Sequence, residues 1–168
     1  STILETLNIS GNAKLTLANA ATSTVITASN VKEINVTNTK GVVIEDQLNI
    51  NTKFTGGTGA DSVVLGATTK AIAMGAGDDI VKYGGALGTG GSVDAGAGKD
   101  TIKMTAAEAT TINGLADNKF NTTFSNFEVL EIDTAATAAA TIIDTRKFNN
   151  VSQVTVGKDL GNVASKIN

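Results

Sequence analysis

Asp61, Asp79 and Asp100 are the residues of this chain whose type and spacing could do chemistry. Each closes a short phrase in which two glycines stand one residue apart and an aliphatic residue follows the aspartate by two positions: Gly57-Thr58-Gly59-Ala60-Asp61-Ser62-Val63, Gly75-Ala76-Gly77-Asp78-Asp79-Ile80-Val81 and Gly96-Ala97-Gly98-Lys99-Asp100-Thr101-Ile102. The phrases lie 18 and 21 residues apart. Glycines permit the positive φ of a tight loop and leave carbonyl oxygens uncovered. Carbonyl and carboxylate oxygens are hard donors, which suit calcium, and with no histidine or cysteine in the chain no softer donor competes.

The spacing has an electrostatic consequence. Parallel strands stack about 4.8 Å apart, so aspartates in register on neighbouring strands repel by roughly 3 kcal/mol at an effective dielectric near 20. A cation between two such loops, at about 2.3–2.6 Å from its ligands, removes that repulsion. One glycine–aspartate phrase alone reads equally as an ordinary turn. Three copies with aligned aliphatic positions favour a metal row. Asp78 and Asp94 read as solvated charges.

The elements that must position these residues follow from counting. Nonapeptides counted from Gly56 restart at Leu65 and Met74, which puts Val63, Ile72 and Val81 in one inward slot. After Tyr83 about three residues are inserted, and Val93 and Ile102 then resume the slot, giving an aliphatic core stripe. Lys70 and Gly91 fall where the intervening half-turns would need aspartate, so one edge is expected to carry metal and the other none. A second repeat lies outside this array: Leu4–Ile9, Val31–Val36, Phe127–Ile132 and Val151–Val156 share apolar first, fourth and sixth positions. Asn30, Asn126 and Asn150 precede three of them and supply the turn. Thr105–Ala109 and Ala135–Ala140 could form brief helices, since alanine is the best helix former; interleaved threonine favours the non-helical reading.

Composition narrows the function. The chain has 168 residues, 18 glycines, five phenylalanines, one tyrosine, and no proline, cysteine, histidine or tryptophan. That composition implies a thin core of Val, Ile, Leu and Ala and excludes disulfides. A net charge of −3 without a basic run gives no footing for nucleic acid. No apolar stretch is long enough to span a membrane, and no secretory leader opens the chain, which reads as a piece of a longer one. Without histidine or cysteine, and with the spaced carboxylates given to metal, no catalytic constellation is visible; the chain does not read as an enzyme.

The three phrases resemble the calcium-binding nonapeptide repeats of RTX proteins. That resemblance implies an all-β fold, a right-handed parallel β-roll or β-solenoid with calcium (Ca2+) bound in stacked Gly-Asp loops on one edge. It divides the chain into N-terminal coils over 1–55, a calcium-binding roll over 56–104 and C-terminal coils over 105–168. Carried onto this sequence, it places a first ion among Gly57, Gly59, Asp61, Met74, Ala76 and Asp79. A second lies among Gly75, Gly77, Asp79, Ala95, Ala97 and Asp100, with Gly96 and Gly98 as further ligands of the last loop. Met74 and Ala95 stand where the family has glycine. Asp79 would serve both ions.

The array over Gly56–Asp100, flanked by the units at Leu4, Val31, Phe127 and Val151, is similar to the RTX-type surface-layer (S-layer) proteins of Gram-negative bacteria. That likeness implies type I secretion, an extracellular location on the bacterial cell surface and self-association into a two-dimensional lattice. Lipopolysaccharide anchoring would then run through other parts of the full chain. A calcium-dependent RTX adhesin or other binding module of a secreted protein is the alternative.

Overall fold

The computed structural model describes residues 4–17, 30–85, 87–88, 90–116, 118–133, 142–157 and 166–167. Successive strands alternate between two parallel sheets. The first, of six strands, contains β1 (Thr6–Ile9), β3 (Glu33–Val36), β5 (Lys53–Thr55), β7 (Ala71–Ala73), β9 (Ser92–Asp94) and β11 (Phe124–Ser125), in that order. The second, of seven, contains β2 (Leu15–Leu17), β4 (Val42–Leu48), β6 (Ser62–Leu65), β8 (Ile80–Tyr83), β10 (Thr101–Met104), β12 (Val129–Ile132) and β14 (Gln153–Val156). A small third sheet pairs β13 (Ile142–Ile143) with β15 (Lys166–Ile167). Among the described residues no helix is long and apolar enough to cross a membrane.

Alternation decides which side chains enter the core. In β8 the residues Val81 and Tyr83 are buried while Ile80 and Lys82 face out; in β10 Ile102 and Met104 are buried. Each such aliphatic burial contributes about 1.5–3 kcal/mol. The aliphatic positions expected to form one stripe divide into two. Val63, Val81 and Ile102 are register partners in the second sheet, whereas Ile72 and Val93 stack with Phe54 and Phe124 in the first. Both columns join one core.

The architecture corrects the expected all-β β-roll or β-solenoid. Among the described residues the structure is a layered, α/β-like arrangement of two main parallel sheets with one short α-helix, α1 (Ala106–Asn113), built into the core. A nonapeptide array would step evenly. Here the 18-residue step holds for β5 to β7 and β6 to β8, but β10 to β12 takes 28 and β9 to β11 takes 31. The longer connections carry structure of their own. Thr105 caps α1 and Glu108 returns the bond to the Thr105 amide, a capping box that outweighs the threonines within the helix. The helix buries Ala106, Ala109 and Ile112. The reading of Thr105–Ala109 as non-helical is therefore also corrected; Ala135–Ala140 lies outside the described residues.

The second repeat also divides. Leu4–Ile9 and Val31–Val36 pair as β1 and β3 in the first sheet, whereas Phe127–Ile132 and Val151–Val156 pair as β12 and β14 in the second. Asn126 and Asn150 take φ of 60° and 66°, the left-handed turn that asparagine tolerates.

Candidate metal centre

Three of the loops that lead from the first sheet to the second carry the aspartates. Residues 56–61 lead from β5 to β6, 74–79 from β7 to β8, and 95–100 from β9 to β10. The strand registers Ser62↔Ile80 and Ile80↔Thr101 stack the loops, so Asp61, Asp79 and Asp100, each immediately before its strand, form one column. Ala76 and Ala97 form a parallel bridge between the second and third loops. All thirteen expected ligand residues therefore lie in three adjacent loops.

The carboxylates are held identically. Oδ1 of Asp61 accepts the Val42 amide at 2.7 Å, Oδ1 of Asp79 accepts the Asp61 amide at 2.7 Å, and Oδ1 of Asp100 accepts the Asp79 amide at 2.8 Å. Each aspartate thus reaches back by one loop. All three side chains are buried at 0–1 % exposure, and the other oxygen, Oδ2, of each is buried without a hydrogen-bond partner. Buried polar atoms are rarely left so, because an unmet acceptor costs its desolvation.

The glycines show what lies beside those oxygens. A Cβ on Gly56 would stand 1.8 Å from the Met74 carbonyl oxygen and 2.7 Å from Asp61 Oδ2. Both oxygens border the space that glycine alone leaves free. Carbonyls continue the pattern. A Cβ on Gly75 would meet Gly57 O at 2.3 Å, and one on Gly96 would meet Gly75 O at 2.0 Å; Gly77 and Gly98 stand likewise against Gly59 O and Gly77 O. Gly75 and Gly96 also adopt φ of 101° and 94°, where a side chain is strained. The Gly57 and Gly75 carbonyls each accept one amide, from Ala76 and Ala97; a carbonyl has a second lone pair for a cation.

Burial pushes the carboxyls upward. Asp79 is raised from 3.8 to about 7, by burial first and then by the charges of Asp61, Asp100 and Asp78, against the Asp61 amide that lowers it. Asp100 is raised to about 6 by burial and by Glu128, Asp78 and Asp94. Burial raises Asp61 too, with the Val42 and Gly57 amides opposing. A site that disfavours its own negative charge is one a cation would stabilise.

Among the described residues no three carboxylates converge on one point. An ion between two adjacent loops would take one carboxylate from each and complete its shell with carbonyls. The buried, unpartnered Oδ2 atoms and the carbonyl rows fit calcium on those terms. Gly57, Gly59, Asp61, Met74, Ala76 and Asp79 would hold one ion. Gly75, Gly77, Asp79, Ala95, Ala97 and Asp100 would hold another. Met74 and Ala95, the departures from glycine, are buried in the core at 0 % exposure, and the Met74 carbonyl borders the Gly56 position.

Asp78 and Asp94 serve the loops: Asp78 Oδ1 accepts the Lys99 amide, and Asp94 Oδ1 accepts the Gly96 amide and the Asn126 side chain. Lys70, in the opposite connection, is exposed. Glu128 was missed. It follows Asp100 in the column, and its Oε2 accepts the Asp100 amide at 2.9 Å. Its signal was the asparagine-led unit Asn126-Phe127-Glu128, but no glycines announce it. Compared with known proteins, the chain matches no family model and no curated protein sequence.

Proposed function

We propose that this chain is a calcium-dependent structural piece of a bacterial surface layer, whose stacked loops bind calcium and whose parent protein assembles into a two-dimensional lattice on the cell. The observation that carries the calcium part is the row of three buried aspartates, each with one oxygen tied to the preceding loop and one without a partner. The surface-layer part rests on the likeness of Gly56–Asp100 and its flanking units to RTX-type surface-layer proteins.

The physical logic joins the two. Where calcium is scarce, the row of buried charges opposes folding and the chain remains suited to type I export. Outside the cell, millimolar calcium favours the folded state by binding it alone. Folding is then confined to the compartment where the lattice forms, and attachment to lipopolysaccharide falls to other parts of the parent protein.

Electron microscopy of the parent protein with calcium and after chelation tests the reading. Ordered sheets that dissolve on chelation are expected. Monomers without order in both conditions would reject the lattice and favour a calcium-dependent adhesin. A far-ultraviolet spectrum of this chain that ignores calcium would reject the calcium role itself.

A further inference from the structure

We propose that Glu128 and Asp100 form a third cation site, which ends the metal row with a glutamate and ties cation binding to the C-terminal strands β12 and β14. The inference rests on the reading that the aspartate loops bind calcium.

The column does not stop at Asp100. The register Thr101↔Val129 sets Glu128 directly beyond it, and Glu128 makes the same backward bond that each aspartate makes, Oε2 accepting the Asp100 amide at 2.9 Å. Asp100 repeats the posture of Asp61: its Oδ1 reaches back to the Asp79 amide, and its Oδ2 is buried without a partner on a side chain at 0 % exposure. In Asp61 the corresponding oxygen and Met74 O of the next loop border one space, 2.7 and 1.8 Å from where a Cβ on Gly56 would stand. The forward gap of Asp100 is the one closed by Glu128. Three unpartnered oxygens thus match three gaps, and the first two gaps use only two of them.

The change from aspartate to glutamate has a geometric reason. Five residues separate Asp94 from Asp100, but only two separate Ser125 from Glu128. Asn126, at φ 60° and donating to Asp94 Oδ1 at 2.8 Å, turns the chain directly into Phe127, which is buried. This shortcut keeps the backbone further from the loop tips, and the longer glutamate side chain makes up the distance. The carbonyls of Gly96 and Gly98, in the places of Gly57 and Gly59, supply the remaining oxygens. One step further the register puts neutral Ser152 opposite Glu128, so the row ends there.

Calcium stoichiometry, measured by native mass spectrometry and calorimetry on the full chain, tests this. The wild type is expected to bind three calcium ions and Glu128→Gln two, because glutamine keeps an acceptor for the Asp100 amide but loses the charge. Two ions in the wild type, or three in both proteins, would overturn the third site and leave the calcium reading intact. No calcium in the wild type would overturn the reading beneath it. The wild-type count decides even if the variant does not fold.

Discussion

The backbone amide of Asp61 donates to Oδ1 of Asp79, 18 residues away in sequence and 2.7 Å away in space. One carboxylate therefore fixes the preceding loop with one oxygen, while its other is buried without a hydrogen-bond partner. Asp79 stands between two gaps and belongs to both candidate sites. Asp79→Ala is expected to be the most damaging single change. It strips the buried Asp61 amide of its acceptor, at about 1–3 kcal/mol, and removes a ligand from two ions. Calcium titration followed by far-ultraviolet circular dichroism should show the calcium-induced β-signal abolished for Asp79→Ala, with a partial loss for Asp61→Ala. An unchanged response in Asp79→Ala would refute the shared ligand.

The raised carboxyls give stability a pH dependence that calcium removes. Asp79 and Asp100 ionise near 7 and 6 when folded, against 3.8 in the unfolded chain. Between those values the folded state holds protons that the unfolded state has released, so folded stability falls as pH rises. The loss begins near pH 4 and levels off above about pH 7. With saturating calcium that slope disappears, since binding requires the deprotonated carboxylates and the unfolded chain is deprotonated over the same range. Thermal unfolding of cation-depleted protein should give a higher midpoint near pH 5 than near pH 8, and calcium-loaded protein should lose that difference. Parallel slopes would show that the carboxylates are not the linked groups.

Much of the candidate site was legible because sequence spacing and stacking coincide there. The steps Asp61 to Asp79 and Asp79 to Asp100 equal the strand registers β6–β8 and β8–β10, three inserted residues included. Glu128 was hidden since its step of 28 residues contains α1 and ends in a loop without glycine. The helix itself was signalled by Thr105 and Glu108, three apart around an alanine pair, a cap that the reading from interleaved threonine left out of account. The even β-roll failed for the same reason: a short glycine-rich array fixes its own step and says nothing of connections that carry helices.

Two glycines separate steric from conformational need. Gly56 lacks a positive φ, yet a Cβ there would lie 1.8 Å from the Met74 carbonyl oxygen and 2.7 Å from Asp61 Oδ2. Gly90 has φ 81° but open space around it. Gly90→Ala should cost about 1–2 kcal/mol of backbone strain with calcium affinity unchanged. Gly56→Ala must move a loop backbone, and is expected to weaken calcium binding at least tenfold in calorimetry. Equal affinities in the two variants would show that the loop spacing at Gly56 is not set by the site.

The cap of α1 provides a test of the helix apart from the metal row. Thr105 Oγ1 accepts the Glu108 amide at 3.2 Å, while Glu108 Oε2 accepts the Thr105 amide at 2.7 Å and the Thr105 hydroxyl at 2.8 Å. Thr105→Ala and Glu108→Ala should each cost about 0.5–2 kcal/mol, which lowers the melting temperature by about 2–4 °C per kcal/mol for a chain of this size. Because the two residues bond each other, the double variant should lose less than the sum of the singles. Calcium stoichiometry should not change, since neither residue touches the aspartate loops by hydrogen bond. Strict additivity would mean the two side chains act independently, and the reciprocal cap would not be what starts the helix.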